Sequence, residues 1–371
     1  MRKLRIGQIA PLNLPVPPKK YGGTEKIIYW LCKELTKRGH KVTLFAAKDS
    51  KVSCNLCPII KKSLWVSKIR ESSPYYAYEM AIIAKKAKEL KLDILHDHLG
   101  PWSLSLYGQT NVPIFHTLHV PFKNKDRIWA YQKLNSKLVS ISFAQRKPAP
   151  NLNYVANVYN GIDVENFPFN DRPKDYFLWV GELSPRKGIL EVIKIAKKTK
   201  INLILIGRIP SPKQKIDFSF FQKYVKKELN RGKIKYLGEM GPERLKKFYK
   251  NAIAFLYPLQ WEEPFGLTII ESMACGTPVI AFKRGSMEEI IKDKKTGFLI
   301  PSFTETSAEV EKKESSSTKA KRVNYEEFIE AIKKVNKISR EDCRKWVEER
   351  FDKERMVSDY EKLYYRILEK P

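Results

Sequence analysis

The sequence predicts an α/β protein built from two doubly wound parallel-sheet domains in tandem. Its length of 371 residues suits two domains of about 150 residues or more each. Short apolar runs alternate with segments of helical periodicity, which is the pattern of parallel sheets covered by helices on both faces. The alternation restarts after a polar break near the middle of the chain, so the same architecture is predicted twice.

Twelve apolar runs have the length and composition of buried strands. Before the break they are residues 4–10, 41–47, 94–97, 113–118, 138–141 and 154–157. After the break they are residues 176–180, 202–206, 234–237, 254–257, 278–281 and 297–300. Open parallel sheets bind ligands at the carboxyl ends of their strands, so we expect a ligand in a cleft between the two sheets.

Helical periodicity and polar breaks set the domain limits. The first helix carries an apolar stripe and ends at Gly39; the stripe is Ile27, Ile28, Leu31, Cys32 and Leu35. Residues 160–175 are rich in Asn, Asp and Pro and interrupt both periodicities. We therefore predict an N-terminal domain over residues 1–165 and a C-terminal domain over residues 166–353.

The last fifty residues are predicted to be helical. The polar residues 302–321 have no apolar period and are interpreted as a mobile surface loop. From residue 325 onward the apolar residues recur at helical spacing, and the last stripe consists of Met356, Tyr360, Leu363, Tyr364 and Ile367. A helix at about 354–371 is long enough to pack back on the N-terminal domain.

Charge is the unusual feature of the composition. The chain has 70 Lys and Arg against 41 Asp and Glu, a formal net charge of +29. Such an excess points to an anionic partner, which could be a nucleic acid, a membrane surface or a phosphorylated small molecule. No zinc finger, recognition helix or basic motif interleaved with aromatics supports nucleic acid. No apolar run reaches the length of a membrane span, and the N-terminus lacks the apolar region of a secretion signal, so we expect a cytoplasmic protein.

Five cysteines are too few and too scattered for a disulfide framework. Cys54 and Cys57 form one CxxC pair, but no second pair with suitable spacing follows to complete a structural zinc site. No metal site is therefore predicted.

The sequence WEEPFGLTIIESMACG, residues 261–276, carries the strongest chemical signal. Pro264 and Gly266 mark a turn after a strand, and a helix is predicted to begin at Leu267. The N–H groups of Gly266, Leu267 and Thr268 would then form an anion site suited to phosphate. Glu263 and Glu271 flank this site, where carboxylates can accept hydrogen bonds from sugar hydroxyls. Favourable helix-dipole placement explains either acid alone, but does not explain the whole string.

This string resembles a known family motif. EPFGLTIIE is similar to the E-x7-E motif of retaining GT-B glycosyltransferases, and its surroundings are similar to glycosyltransferase family 4, or group 1. The likeness extends along nearly the whole chain, through YGGTEKIIYWLCKELTKRGHKVTLFA, VYNGIDVENF, VGELSPRKG, GTPVIAFKRGSMEEII and TGFLIP. It implies a GT-B fold: two Rossmann-like domains facing a cleft, with the C-terminal helix returning to the N-terminal domain. The N-terminal domain would bind the acceptor and the C-terminal domain the nucleotide-sugar donor.

The resemblance also assigns roles to the acidic motif and the glycines. Glu263 would contact hydroxyls of the transferred sugar and Glu271 the ribose hydroxyls, while the Gly266–Thr268 backbone would bind the diphosphate or the sugar. Gly22 and Gly23 match a glycine pair at which a side chain would block the approach of phosphate. Without the resemblance, an ordinary loop turn is the favoured explanation of that pair.

Further roles fall on histidines and basic residues. His119 matches a histidine beside the donor sugar, and it is assigned to catalysis with Glu263. His96 and His98 end a neighbouring strand, where they either contact the acceptor or bond locally within the loop. Lys187 matches the family lysine that neutralises the diphosphate. Glu182 stands where many members have an arginine that binds phosphate, and a carboxylate cannot make that contact. Either Arg186 replaces the missing arginine or, as we prefer, the Glu182 side chain points away from the phosphate.

The resemblance implies transfer of a sugar from a nucleoside-diphosphate sugar to an acceptor hydroxyl, with retention of anomeric configuration. The sequence contains no Asp-x-Asp motif, which agrees with the metal-independent chemistry of the family. No cofactor is expected besides the sugar donor, whose UDP, GDP or ADP form stays open. The acceptor could be a sugar, a lipid-linked sugar or a polysaccharide.

Three other interpretations stay open at this stage. A nucleotide-sugar epimerase or a phosphorylase-like enzyme would share the fold, and a basic nucleic-acid-binding protein would share only the charge. A binding module that has lost its activity would keep the fold and show departures from the motifs such as Glu182, although Glu263, Glu271, His119 and Lys187 are all present. Lysine clusters in the acceptor half, such as Lys19-Lys20 and Lys61-Lys62, could instead hold the protein on the anionic cytoplasmic face of a membrane. A surface rich in Lys and Glu explains the same charge without any partner.

Overall fold

The structure is a computed structural model that describes residues 2–67, 69, 71–305 and 321–369. The chain divides into two compact units. The first consists of Met1–Val164 together with Arg350–Pro371, and the second of Glu165–Glu349.

The first unit contains a seven-stranded parallel sheet in the order β3-β2-β1-β4-β5-β6-β7. Its strands are β1 Arg5–Ile9, β2 Lys41–Ala47, β3 Asn55–Ile60, β4 Ile94–Asp97, β5 Ile114–Thr117, β6 Leu138–Ser140 and β7 Tyr154–Asn157. Its helices are α1 Gly23–Lys37, α2 Ser73–Glu89, α3 Lys125–Lys133 and, at the end of the chain, α11 Lys353–Glu369. The strand order reverses between β1 and β4, so the loops after these two strands border the crevice where such sheets bind ligands.

The second unit contains a six-stranded parallel sheet in the order β10-β9-β8-β11-β12-β13. Its strands are β8 Phe177–Val180, β9 Leu203–Ile206, β10 Ile234–Tyr236, β11 Phe255–Tyr257, β12 Val279–Phe282 and β13 Gly297–Ile300. Its helices are α4 Ile189–Thr199, α5 Lys215–Phe220, α6 Pro242–Asn251, α7 Leu267–Ala274, α8 Met287–Ile290, α9 Tyr325–Lys334 and α10 Arg340–Arg350. Here the order reverses between β8 and β11, which places the loops after them at the switch point.

The predicted fold class is confirmed. All twelve predicted strands are present, each within one residue of the predicted bounds at either end. The prediction missed β3, where Pro58 interrupts the apolar run of residues 56–60. This strand lies at the edge of the sheet, most of its residues are at least partly exposed, and it contains Pro58, which an edge strand tolerates because one side of its backbone is unpaired.

The polar segment 302–321 is only partly a loop. At its two ends β14 Phe303–Glu305 and β15 Lys321–Val323 pair antiparallel, which the sequence analysis did not anticipate. The predicted mobile loop between them, residues 306–320, lies outside the described residues.

The C-terminal helix α11 belongs to the first unit, as predicted. Its apolar stripe is buried, and Tyr360 and Tyr364 are fully enclosed. Arg38 at the end of α1 donates hydrogen bonds to Glu354 at 2.8 Å and to Glu361 at 2.7 Å. Apolar burial and ion pairing together therefore hold the last helix against the unit formed by the first 164 residues.

Candidate active site

Glu263 is the centre of a polar cluster in the second unit. It lies in the loop after β11 and is 8% exposed. Three donors converge on its Oε2: Lys187 Nζ at 2.5 Å, the Tyr257 hydroxyl at 2.8 Å and Trp261 Nε1 at 3.0 Å. The carboxylate is thus held in one position with its charge balanced by one ammonium group.

Lys187 enters the cluster from the loop after β8, the neighbouring strand at the switch point. Its ammonium group also donates to the Tyr257 hydroxyl at 3.0 Å and lies 4.7 Å from the centre of the Trp261 ring. The side chain keeps 18% of its surface exposed. Because its ion pair with Glu263 is not sealed from solvent, Lys187 can exchange a carboxylate oxygen for a phosphate oxygen.

Helix α7 begins directly beside this cluster, as predicted. Gly266 precedes it with φ of +93°, and an added Cβ would lie 2.9 Å from Ile269 Cδ1 and 3.5 Å from Glu263 Cγ. The first N–H groups of a helix have no partner within the helix, so the backbone of Gly266, Leu267 and Thr268 can donate to an anion. The left-handed backbone favours glycine here, and an added Cβ would also have to displace the end of the Ile269 side chain.

A second loop braces the Glu263 segment. Ser286 N donates to the Glu263 carbonyl at 3.0 Å, and Gly285 N donates to the Glu262 carboxylate at 2.6 Å. A Cβ on Gly285 would lie 2.2 Å from the Glu263 carbonyl oxygen. The close approach of these two backbones fixes the turn that carries the carboxylate.

Glu271 lies inside α7 and is 4% exposed. Its Oε2 accepts a hydrogen bond from the Tyr249 hydroxyl at 3.2 Å. Burial and the neighbouring Glu271 raise the pKa of Tyr249 well above its ordinary value, so this phenol stays a donor to the carboxylate. Both acids of the predicted pair are therefore held by neighbouring donors in the same unit.

The Glu182 side chain points into a cluster of ion pairs. It is 3% exposed and accepts from Arg186 at 2.9 Å and from Arg208, while the Arg186 guanidinium lies 5.2 Å from the Trp261 ring centre. The Glu182 carboxylate is thus paired with both arginines. Arg208, which the sequence analysis missed, follows β9; a basic residue just past the carboxyl end of a strand beside the switch point was the available signal.

The glycine pair of the first unit stands at the start of α1. Gly22 has φ of +144°, and an added Cβ would lie 2.6 Å from Pro18 Cβ and 2.8 Å from Glu25 Oε2. Packing against Pro18 and Glu25 therefore already requires glycine at this position. Gly22 and Gly23 both line a cavity of about 430 Å³.

This cavity, hereafter the unit 1 cavity, combines aromatic rings with titratable groups. Tyr76 and Trp102 stack in its wall with ring centres 5.8 Å apart. Burial raises the pKa of Glu25 in the same wall to about 7, so this carboxyl can hold or release a proton near neutral pH. Glu25 was not predicted from the sequence, since an acid in the first turn of a helix is ordinarily explained by the helix dipole.

His119 also lines the unit 1 cavity, together with His98. His98 Nδ1 lies 2.8 Å from His119 Nε2, so the two rings share a hydrogen bond. His96 is fully buried and bonds to Thr117 at 2.7 Å and to Tyr364 at 2.8 Å. Of the two histidines in the HDH sequence, His98 thus faces the cavity and His96 belongs to the core.

The described residues contain no metal-binding cluster, no disulfide and no membrane-spanning helix. Across the ranges that the structure describes, no group of three or more His, Cys, Asp and Glu side chains could hold a metal ion. All five cysteines, including Cys54 and Cys57, are free thiols. None of the helices in the described part of the chain combines the length and the apolar character that a membrane crossing requires.

Two family models match adjoining parts of the chain. The model of Glycosyltransferase Family 4 matches residues 21–166, and that of Glycosyl transferases group 1 matches residues 164–326. The first match contains the glycine pair and His119, and the second contains Lys187 and both glutamates of the E-x7-E motif.

Curated relatives and a solved structure agree with these models. An uncharacterized glycosyltransferase of Methanocaldococcus jannaschii is 28% identical over 56% of this chain and 61% of its own length, so the match spans less than two thirds of that relative. A phosphatidyl-myo-inositol mannosyltransferase of Mycobacterium leprae is 22% identical over 80% of this chain and 83% of its own length. An Anabaena protein solved in complex with UDP-glucose shares the fold, with a TM-score of 0.71 and 16% identity over 98% of this chain and 100% of its own.

Proposed function

We propose that this chain, which belongs to glycosyltransferase family 4 and has the GT-B fold, transfers a hexose from a nucleoside-diphosphate sugar to an acceptor hydroxyl with retention of anomeric configuration. The observation that carries the proposal is the convergence of Lys187, Tyr257 and Trp261 on Glu263 beside the start of α7. One carboxylate, one exchangeable cation and a helix N-terminus suit a sugar joined to a diphosphate.

The donor site would act chiefly through electrostatics. Negative charge develops on the diphosphate as its bond to the sugar breaks, and Lys187 and the first N–H groups of α7 would stabilise that charge. Glu263 would hold hydroxyls of the transferred sugar, and Glu271 would accept hydrogen bonds from the ribose. Since the protein itself supplies this positive field, we propose that transfer needs no metal ion.

The unit 1 cavity is proposed as the acceptor site. Its stacked Tyr76 and Trp102 offer apolar faces for sugar rings, and its Glu25 offers a polar partner for hydroxyls. The volume of about 430 Å³ suits one or two sugar units rather than a long polymer segment. A larger acceptor would therefore place its terminal sugar there and leave the remainder outside.

A lipid-linked acceptor would bring this unit to the cytoplasmic face of a membrane. Four exposed apolar residues line the unit 1 cavity: Tyr21 and Trp65 at 52% exposure, Val120 at 47% and Trp102 at 41%. The lysine pairs Lys19-Lys20 and Lys61-Lys62 are exposed nearby in the sequence. Aromatic and cationic side chains together favour an anionic interface, at about 1 kcal/mol for each basic residue near the surface.

Donor and stereochemistry can be tested in one assay. The protein is incubated with UDP-, GDP- and ADP-hexoses and a panel of glycoside acceptors, with and without a chelator, and the product is analysed by NMR. We expect one nucleotide to support transfer, an anomeric configuration identical to that of the donor, and no effect of chelation. An inverted product would refute retention, loss of activity on chelation would refute metal independence, and a merely isomerised nucleotide sugar would indicate an epimerase.

A further inference from the structure

A chain of hydrogen bonds runs through the core of the first unit and ends at the unit 1 cavity. It starts on α11, crosses the central strands and reaches His119 through six links. In order, its members are Tyr360, Thr117, His96, Tyr364, Gln8, His98 and His119. All members before His119 are at most 4% exposed.

The three histidines of this chain are neutral. Burial lowers the pKa of His96 and of His98 well below the ordinary value and lowers that of His119 to about 4. A neutral imidazole has one nitrogen that donates and one that accepts. Each hydrogen bond along the chain therefore fixes the direction of the next.

The direction is set by the amide of Gln8. Its Nε2 donates to the Tyr364 hydroxyl at 3.0 Å, so its Oε1 faces His98 Nε2 at 2.8 Å and can only accept. His98 consequently carries its proton on Nε2, and its bare Nδ1 must accept at 2.8 Å from His119 Nε2. His119 is left with an unprotonated Nδ1.

The hydrogen bonds on the other side of Gln8 are consistent with the same donor-to-acceptor direction. Tyr364, which accepts a hydrogen bond from Gln8, donates its hydroxyl hydrogen bond to His96 Nδ1 at 2.8 Å. His96 Nε2 then donates to Thr117 Oγ1 at 2.7 Å, and the Thr117 hydroxyl donates to Tyr360 at 3.0 Å. With the Gln8 amide in this orientation every link has one donor and one acceptor, as a buried polar network needs to avoid a costly unpaired group.

We propose that Gln8 and His98 are positioning residues that hold His119 in the tautomer protonated on Nε2, so that its Nδ1 accepts a hydrogen bond from a sugar hydroxyl in the unit 1 cavity. The proposal rests on the proposed function for the identity of the ligand, but its structural part concerns the protein alone. An acceptor nitrogen selects a partner that carries a proton. The site therefore favours a hydroxyl and disfavours a deoxy, fluoro or O-methyl group, or a carboxylate oxygen, at that position.

The tautomer can be measured directly. The chain has five histidines, so side-chain nitrogen NMR of protein labelled in histidine can be assigned with single substitutions. We expect His119 to show a protonated Nε2 and a bare Nδ1 at neutral pH. A proton on Nδ1 of His119 in the wild-type protein would overturn the proposal, whether or not the protein transfers sugar.

Two substitutions of His98 separate positioning from packing. His98→Asn keeps a carbonyl oxygen near the place of Nδ1 and should preserve the His119 tautomer. His98→Leu removes the acceptor, so His119 should no longer be held in one tautomer. Tyr360→Phe is the matched control, because it removes the hydroxyl furthest from His119. It should lower thermal stability, since it removes a buried link to α11, but leave the tautomer unchanged. An unchanged tautomer in His98→Leu would refute the role of His98.

Substrate discrimination gives a second readout. In wild type we expect one deoxy analogue of the bound sugar to lose about 10-fold to 100-fold in kcat/KM, the usual penalty for a missing hydrogen bond to a buried acceptor. In His98→Leu the same analogue should lose less than about threefold, and His98→Asn should restore the discrimination. If His98→Leu discriminates as strongly as wild type, His119 is not positioned through His98. If no sugar is transferred at all, the proposed function fails while the NMR result still decides the tautomer.

Discussion

Replacing Glu263 by Gln should change nucleotide binding and sugar transfer in opposite directions. The substitution keeps the size of the side chain and removes the charge that three donors now share. In the wild-type protein a diphosphate must draw Lys187 away from a carboxylate 2.5 Å distant, and both side chains are largely buried, at 18% and 10% exposure. An amide competes less strongly for the ammonium group than a carboxylate does.

The size of the effect follows from that contact. A hydrogen bond to a charged group contributes about 1.5–3 kcal/mol, and only part of it is recovered when Lys187 binds phosphate instead. We therefore expect the variant to bind the nucleoside diphosphate on the order of tenfold more tightly. Transfer should fall by about 10²–10³, because the carboxylate no longer holds the sugar in the transition state.

Calorimetric titration with the nucleoside diphosphate and initial rates of transfer measure the two effects separately. Glu288→Gln is the matched control: this acid is 60% exposed and contacts Lys283 on the surface of the same unit, so both quantities should stay at wild-type values. A variant at Glu263 that lost affinity and rate together would show that the carboxylate acts only as a scaffold. Unchanged transfer would remove Glu263 from the active site.

Three further substitutions test separate parts of the account. Glu271→Ala should weaken donor binding about tenfold with little change in the rate at saturating donor, as measured by calorimetry and kinetics; equal affinity would refute its contact with the ribose. Gly266→Ala should lower the free energy of unfolding by about 1–2 kcal/mol in urea titrations and reduce donor binding, because φ is +93° and a Cβ would lie 2.9 Å from Ile269. Glu79→Gln should stabilise the protein, and more so at pH 8 than at pH 5. Within the described residues neither oxygen of Glu79 has a hydrogen-bond partner, and burial raises its pKa well above the unfolded value, so wild type loses stability as pH rises through that window. A gain that shrinks toward pH 8 would contradict this.

Liposome sedimentation tests the proposed membrane contact. We expect binding to anionic vesicles that weakens between low and high salt, and weaker binding when Trp65 is replaced by Ser, since both charge and exposed aromatic area contribute. Equal sedimentation with neutral and anionic vesicles would instead leave the positive charge as an ordinary solvated surface.

The sequence predicted the fold well because parallel sheets impose strong local patterns. Every buried strand of the two parallel sheets gave an apolar run, whereas the run in the half-exposed edge strand β3 is interrupted by Pro58. The motif residues Glu263, Lys187 and Gly266 could likewise be placed by their positions after strands β8 and β11. That these residues lie close together depends on β8 and β11 being neighbours in the sheet, and local sequence patterns do not predict strand order.

Residues whose roles depend on distant partners could not be predicted in this way. Glu182 was an anomaly in the sequence, and its pairing with Arg208 requires β9 to lie beside β8. Gln8 resembles any polar residue in a strand until α11, more than 340 positions later, brings Tyr364 to its amide. Glu25 acquires its raised pKa from burial that only the assembled cavity provides.

Calorimetric titration of the protein with UDP, GDP and ADP tests the central claim most directly, with Lys187→Met and Lys283→Met as a matched pair. Lys187 contacts Glu263 beside α7. Lys283 is 41% exposed, and within the described residues its one ion pair is with the surface acid Glu288. We predict that one nucleotide binds wild type and Lys283→Met equally, and that Lys187→Met binds it about 10-fold to 100-fold more weakly. Binding of no nucleotide, or equal binding by Lys187→Met, would contradict the assignment of the donor site.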